Sequence, residues 1–183
     1  MNAVTIDFEQ PLKLRPQSED SWDLSGANFA GVYLWTIQSN DGFRVFYIGQ
    51  AQNVAYRTRQ HLKSYLCGQY QLHDPQKLAD GYLDYTFKSI GTAYEKTLLQ
   101  LDVQRELLNA MLDKVYIFAA RVEGEKSARC TIETALIDHF KKSEFTKSTI
   151  ENPKVSLRTL KMDVQYVVVA KENIVGLPDK LTV

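Results

Sequence analysis

The alternation of apolar and polar positions changes character several times along the chain, and each change marks an element. Gly31 to Ile37 (Gly-Val-Tyr-Leu-Trp-Thr-Ile) is β-branched and aromatic and predicts a strand. Ser39-Asn40-Asp41-Gly42 predicts a turn. Phe43 to Gly49 predicts the returning strand, so the pair reads as a β-hairpin. Asn53 has the chemistry of a helix N-cap, and a helix is expected from there to about Leu66, before Gly68. Residues 68–92 are punctuated by Gly68, Pro75, Gly81 and Gly91, with a short strand at Leu83–Lys88. Tyr94, Leu98, Leu101, Leu108, Leu112 and Val115 recur at helical spacing and predict a long amphipathic helix from Tyr94 to Lys114. Tyr116 to Val122 reads as a buried strand. Gly124 ends it, and Ser127 is placed to cap a helix through about Lys142. Residues 143–160 are polar and irregular, Gln165 to Ala170 is a last strand, and residues 1–29 read as an irregular, acidic arm.

These elements predict one mixed α+β domain. The N-terminal arm occupies 1–29 and the main domain 30–160, interrupted by an insertion at about 67–114. Residues 161–183 supply a C-terminal strand and tail packing on the same domain. A chain of 183 residues, 44% hydrophobic and 24% charged, can bury a core without covalent staples. Cys67 and Cys130 make no framework, and three histidines without paired cysteines argue against a structural zinc site. The longest apolar run, Tyr166 to Ala170, is far short of a bilayer span, and the first residues carry no basic-then-apolar signal pattern. The expectation is a soluble cytoplasmic protein with no membrane partner.

Candidate chemistry is ordered along this frame. Gly31-Val32-Tyr33 lies on the first hairpin strand and Tyr47-Ile48-Gly49 on the second. Asn53, Arg57 and His61 follow at four-residue spacing, then Glu133 on a helix after a strand, then Asn152 in Ile150-Glu151-Asn152-Pro153. In this order the set resembles the GIY-YIG nuclease superfamily, closely over 31–66 and more loosely over 116–152. The resemblance implies a small mixed domain with a central three-stranded antiparallel sheet flanked by helices. It also implies a metal-dependent endonuclease that hydrolyses phosphodiester bonds in DNA.

Each residue then has an expected role. Glu133 would be the metal ligand, since one carboxylate plus waters suits Mg²⁺ or Mn²⁺. The plain alternative is a surface pair with Arg129, four residues earlier. Arg57 would grip the scissile phosphate with its planar fork, the alternative being a solvated helix arginine. His61, one turn on, has a neighbouring guanidinium that disfavours its protonation. Tyr33 and Tyr47 sit on paired strands and would line the site near the attacking water, with Tyr33 slightly ahead; otherwise both are core tyrosines. Asn152 would support the site by hydrogen bonding, or else is a turn asparagine before proline. Gln50 stands where some members of the family carry an active-site lysine, which separates this chain from the repair-excinuclease branch. His73 and His139 read as structural or solvated.

Lys+Arg and Asp+Glu both number 22, and the resulting net charge of zero argues against a general nucleic-acid coater. The sum conceals segments, however. Residues 31–72 are net +3 and 139–161 net +4, while 1–30 are net −3 and 73–114 net −2. The expectation is a neutral protein with one local basic face. Two rival readings stay open. One is a binding module on the same fold without cleavage. The other is an interaction protein that uses the inserted helix for a partner or a homodimer.

Overall fold

The structure, a computed structural model, describes residues 4–15, 24–87, 100–152 and 164–182. It is mixed α+β. The main sheet grows from the predicted hairpin. Strands β3 (Gly31–Ser39) and β4 (Gly42–Ala51) pair antiparallel, and β7 (Val115–Arg121) pairs antiparallel with the other edge of β3. Residues 31–37 are buried without a break because β3 is flanked on both edges and covered on both faces. Two-residue strands β2 (Leu12–Lys13) and β9 (Ile174–Val175) extend the sheet to five, in the order β2-β7-β3-β4-β9. The expected three-stranded sheet is thus widened by strands too short to leave a periodic signal.

One side of the sheet presents Tyr33, Trp35, Ile37, Phe46, Ile117 and Ala119. These pack on α1 (Val54–Leu66) and α3 (Leu101–Leu112). The other side presents Val32, Leu34, Val45, Ile48, Phe118 and Ala120. These pack on α4 (Lys126–Lys142) through Ile132, Leu136, Ile137 and Phe140. A second sheet completes this layer: β1 (Val4–Phe8) pairs parallel with β8 (Gln165–Ala170), and β10 (Lys180–Thr182) joins β8 antiparallel. The N-terminal arm is therefore not wholly irregular. Ile6 and Phe8, separated by one polar residue, are a two-residue alternation that buries against this core.

The insertion differs from its expected form. Tyr94 lies outside the described residues, and the described helix α3 starts at Leu101. Its buried positions are Gln104, Leu108 and Met111, whereas Leu101 is exposed. The face is rotated because Gln104 turns inward, its Nε2 donating to the Tyr65 carbonyl at 2.7 Å. Before α3, a small hairpin of β5 (Leu72–His73) and β6 (Tyr85–Phe87) brackets α2 (Pro75–Ala79). That helix begins on a readable signal: Asp74 caps the amides of Gln76 and Lys77, and Pro75 takes the first helical position. In α4 the N-cap is Glu125 rather than Ser127, whose hydroxyl instead donates to the Glu125 carboxylate at 3.0 Å.

Two local constraints set the sheet's geometry. The β3–β4 ladder slips between Trp35 and Thr36: Trp35 faces Tyr47 and Thr36 faces Val45, which leaves Phe46 unpaired as a β-bulge. Successive side chains normally alternate faces. The bulge instead puts Phe46 and Tyr47 on one face, shared with Tyr33. Second, Tyr33 lies across Gly49, its cross-strand partner. A Cβ at Gly49 would fall 2.5 Å from the Tyr33 Cζ and hydroxyl. Gly31 is confined likewise, since a Cβ there would collide with the Ala120 carbonyl.

Gly49→Ala should therefore cost about 1–3 kcal/mol of stability through overpacking. Chemical denaturation checks this, and the penalty should shrink when Tyr33→Leu removes the ring. An equal penalty in both backgrounds would place the clash elsewhere.

Candidate functional site

The predicted helix start forms as expected. Asn53 adopts extended backbone and its side chain accepts from the Tyr56 amide at 2.8 Å. From this start, Arg57 and His61 lie one turn apart on the side of α1 that meets the sheet. His61 Nε2 stands 3.0 Å from the Tyr33 hydroxyl. The imidazole is boxed by rings: Tyr47 at 5.3 Å, Trp35 at 5.5 Å and Tyr70 at 5.7 Å between centroids. Burial in this box, and then the Arg57 guanidinium, lowers the His61 pKa to about 4, so the ring is neutral at pH 7. The expected effect of Arg57 is present but secondary to desolvation.

The two tyrosines are not equivalent. They are diagonal rather than directly opposed, with ring centroids 6.3 Å apart. Tyr33 is enclosed and Tyr47 is half-buried. Burial raises the pKa of both, with each opposed by the nearby Arg57 charge. Tyr47 is further eased toward ionisation by a hydrogen bond from Tyr33. The sequence reading puts Tyr33 slightly ahead, but Tyr47 is the one a solvent molecule reaches. It lines a cleft of about 260 Å³ with Trp35, His61, Tyr65, Tyr70, Glu151 and Asn152.

Glu133 comes to this group from the opposite layer. The faces of the sheet meet at the Gly49–Gln50 end of β4, where the Gln50 amide donates to the Glu133 carboxylate. The carboxyl is half-buried, and desolvation lifts its pKa to about 7 despite that hydrogen bond and the Arg57 charge. Its charge is felt at Tyr33 and Tyr47. The pairing with Arg129 does not form. Arg129 donates instead to the Gly124 carbonyl and to Gln52 Oε1, at 2.9 and 2.7 Å. Among the described residues no cluster of three or more His, Cys, Asp or Glu could hold a metal. A cation here would therefore rest on the single Glu133 carboxylate. That donor set fits a strongly hydrated hard ion such as Mg²⁺, and a carboxylate partly stripped of water favours a cation beside it.

Asn152 is buried and lines the same cleft, with both polar atoms of its side chain engaged by β4. Its Oδ1 accepts from the Ile48 amide at 2.8 Å and its Nδ2 donates to the Ile48 carbonyl at 2.7 Å. Just before it, the Glu151 amide donates to the carbonyl of the bulged Phe46, and the Thr149 hydroxyl donates to the Val45 carbonyl. Residues 149–152 thus zip along the outer edge of β4 and hold the bulge. Asn152 acts on the site as a positioning residue, through β4. Glu151 in turn meets the buried His73 at 3.1 Å, a partner for His73 that the sequence did not point to. His139 is bonded to the Gly176 carbonyl.

The basic face is also redistributed. Lys154, Arg158 and Lys161 lie outside the described residues. Lys142 and Lys147 are paired with Asp138 and Glu144, and Lys141 donates to the Asn152 carbonyl. Cations instead gather at Arg57, Lys126 and Arg129, around a groove of about 490 Å³ beside Gln50. Sequence reading misses this grouping and the Trp35–Tyr65–Tyr70 wall. The signal for the first was present, since Lys126, Arg129 and Glu133 recur at helical spacing on one face of α4. Both cysteines are free, and among the described residues no helix is long and apolar enough to cross a membrane.

Two measurements follow from this geometry. Asn152→Ala leaves the buried Ile48 amide and carbonyl unpaired and should cost about 2–4 kcal/mol in denaturant unfolding. Glu133 binds its proton more tightly folded than unfolded, so its contribution is fully present below about pH 4.5 and is lost as pH rises toward 7. Glu133→Gln should match wild type near pH 4 and gain on it by about 1 kcal/mol at pH 8, after discounting for partial exposure. A constant difference across that range would contradict the raised pKa.

Compared with known proteins, the chain matches no family model, no curated protein and no solved structure.

Proposed function

We propose that this protein is a metal-dependent endonuclease that hydrolyses phosphodiester bonds in DNA, in the manner of the GIY-YIG nucleases its motifs resemble. One observation carries the reading. Tyr33, Tyr47, Arg57, His61 and Glu133 come from two strands and two helices in opposite layers, yet form one electrostatically coupled group at the Gly49–Gln50 end of β4. Core tyrosines and a solvated arginine have no need of such convergence.

Glu133 would hold the Mg²⁺ or Mn²⁺ ion, which when bound supplies Lewis-acid polarisation of the phosphate and stabilisation of the leaving oxygen. Arg57 binds the phosphate and balances charge as it develops in the transition state. Tyr47 meets the attacking water. Tyr33 links Tyr47 and His61 as a short chain: its single hydroxyl proton serves either Tyr47 or, 3.0 Å away, His61, whose neutral imidazole is a vacant proton acceptor at pH 7. Wall residues Trp35, Tyr65 and Tyr70 keep bulk water from that chain. Gln50 serves through its backbone amide, which orients the Glu133 carboxylate, so the missing lysine side chain need not abolish the site.

A supercoiled-plasmid nicking assay with Mg²⁺ or Mn²⁺ tests this. Wild type should nick and chelation should stop it. Glu133→Ala and Arg57→Ala should each lose about 100-fold or more. Nicking that survives Glu133→Ala overturns the mechanism. Salt-sensitive DNA binding with no cleavage under any metal selects the binding-module alternative.

A further inference from the structure

The groove beside the candidate site has an unusual charge inventory. It lies between the N-terminal ends of α1 and α4, and is lined by Gln52, Asn53, Arg57, Gln60, Lys126 and Arg129 among others, with no carboxylate in its wall. Arg129 is only 2% exposed. Its partners are a neutral amide oxygen and a backbone carbonyl, and its Nε has no hydrogen-bond partner. Elsewhere Arg15, Arg44, Lys77, Arg105, Lys142 and Lys147 have an acidic partner, while cations without an ion pair such as Arg59, Lys63, Lys114 and Arg121 are exposed to solvent. Among the described residues, no ion pair engages Arg57, Lys126 or Arg129. A guanidinium stripped of water and left without a counter-charge is costly, and an anion entering the groove would relieve that cost. Both helix N-termini add positive potential there.

We propose that this groove is a second phosphate subsite, in which Arg129, Lys126 and Arg57 hold a non-scissile phosphate of the DNA strand whose neighbouring phosphodiester lies at Glu133. The inference rests on the endonuclease reading and deepens it. Arg57 borders both places, so a strand leaving the cleavage position continues along the groove. Gln52, by accepting from Arg129 without neutralising it, reserves the charge for the ligand. A carboxylate at position 52 would satisfy Arg129 internally and close the subsite.

The experiment compares wild type with Gln52→Glu and Lys126→Ala, both exposed positions at which folding should persist. Fluorescence anisotropy with a short DNA duplex, in chelator, reads binding apart from chemistry. Each variant should bind about tenfold more weakly at low salt. The slope of log affinity against log salt should fall by about one for each lost phosphate contact. Gln52→Glu should unfold at or above the wild-type temperature, since it gives Arg129 a partner. A wild-type affinity and salt slope in both variants overturns the subsite, even if plasmid nicking is intact. Weakened binding in both, with no nicking by wild type, supports the subsite and overturns the endonuclease reading alone. Thermal unfolding with inorganic phosphate, against chloride at equal ionic strength, separates the sources. Stabilisation by phosphate in a wild type that does not bind the duplex overturns the assignment to DNA.

Discussion

The bulge at Phe46 is the constraint on which the site depends. With the register fixed at the Ser39–Gly42 turn, a regular ladder would pair Tyr47 with Leu34 and send it to the face that packs on α4, away from Tyr33 and His61. One unpaired residue keeps both tyrosines on the α1 side while β4 stays in register with β3 to either side. The bulge is itself held from outside. Residues 149–152 satisfy the Phe46 carbonyl and both polar backbone groups of Ile48. They also cover an edge of β4 that β9 reaches only at Phe43 and Arg44. Asn152 therefore borders the cleft and also fixes the strand that carries Tyr47.

Desolvation is the second theme. The ring box around His61 and the packing around Glu133 move two ordinary titrations in opposite directions, so the imidazole is neutral and the carboxyl partly protonated at neutral pH. Neither effect needs a special residue type. Both follow from placing polar groups where two core layers converge. Net charge has little to say at this scale. The chain is neutral as a whole, yet three unpaired cations surround one groove.

Much of the fold was legible because its signals are local. Residues 31–49 carry the hairpin in their β-branched and aromatic run, Asn53 caps α1, and Gln165–Ala170 is the strand expected. What was not legible depends on partners distant in sequence. The strand Val4–Phe8 carries only a five-residue alternation, and its partner β8 is distant in sequence. Leu101 kept its helical spacing but lost its place in the core to Gln104, which has a carbonyl to meet. At the site, residue types pointed to Tyr33, Tyr47, Arg57, His61 and Glu133. Register and burial then distinguished Tyr47 from Tyr33, and only the folded arrangement separated Arg129 from Glu133.

The parallel pairing of β1 with β8 bears on the order of assembly. Val4 finds its partner only at Tyr166, so the sheet that backs α4 cannot form on the ribosome until β8 has emerged. The hairpin and α1 can condense early from local contacts. Helix α4, and Glu133 on it, gains its full backing last. A nascent chain would thus carry the tyrosines and Arg57 in place well before Glu133 is anchored, and the group would be completed only once β8 has been made.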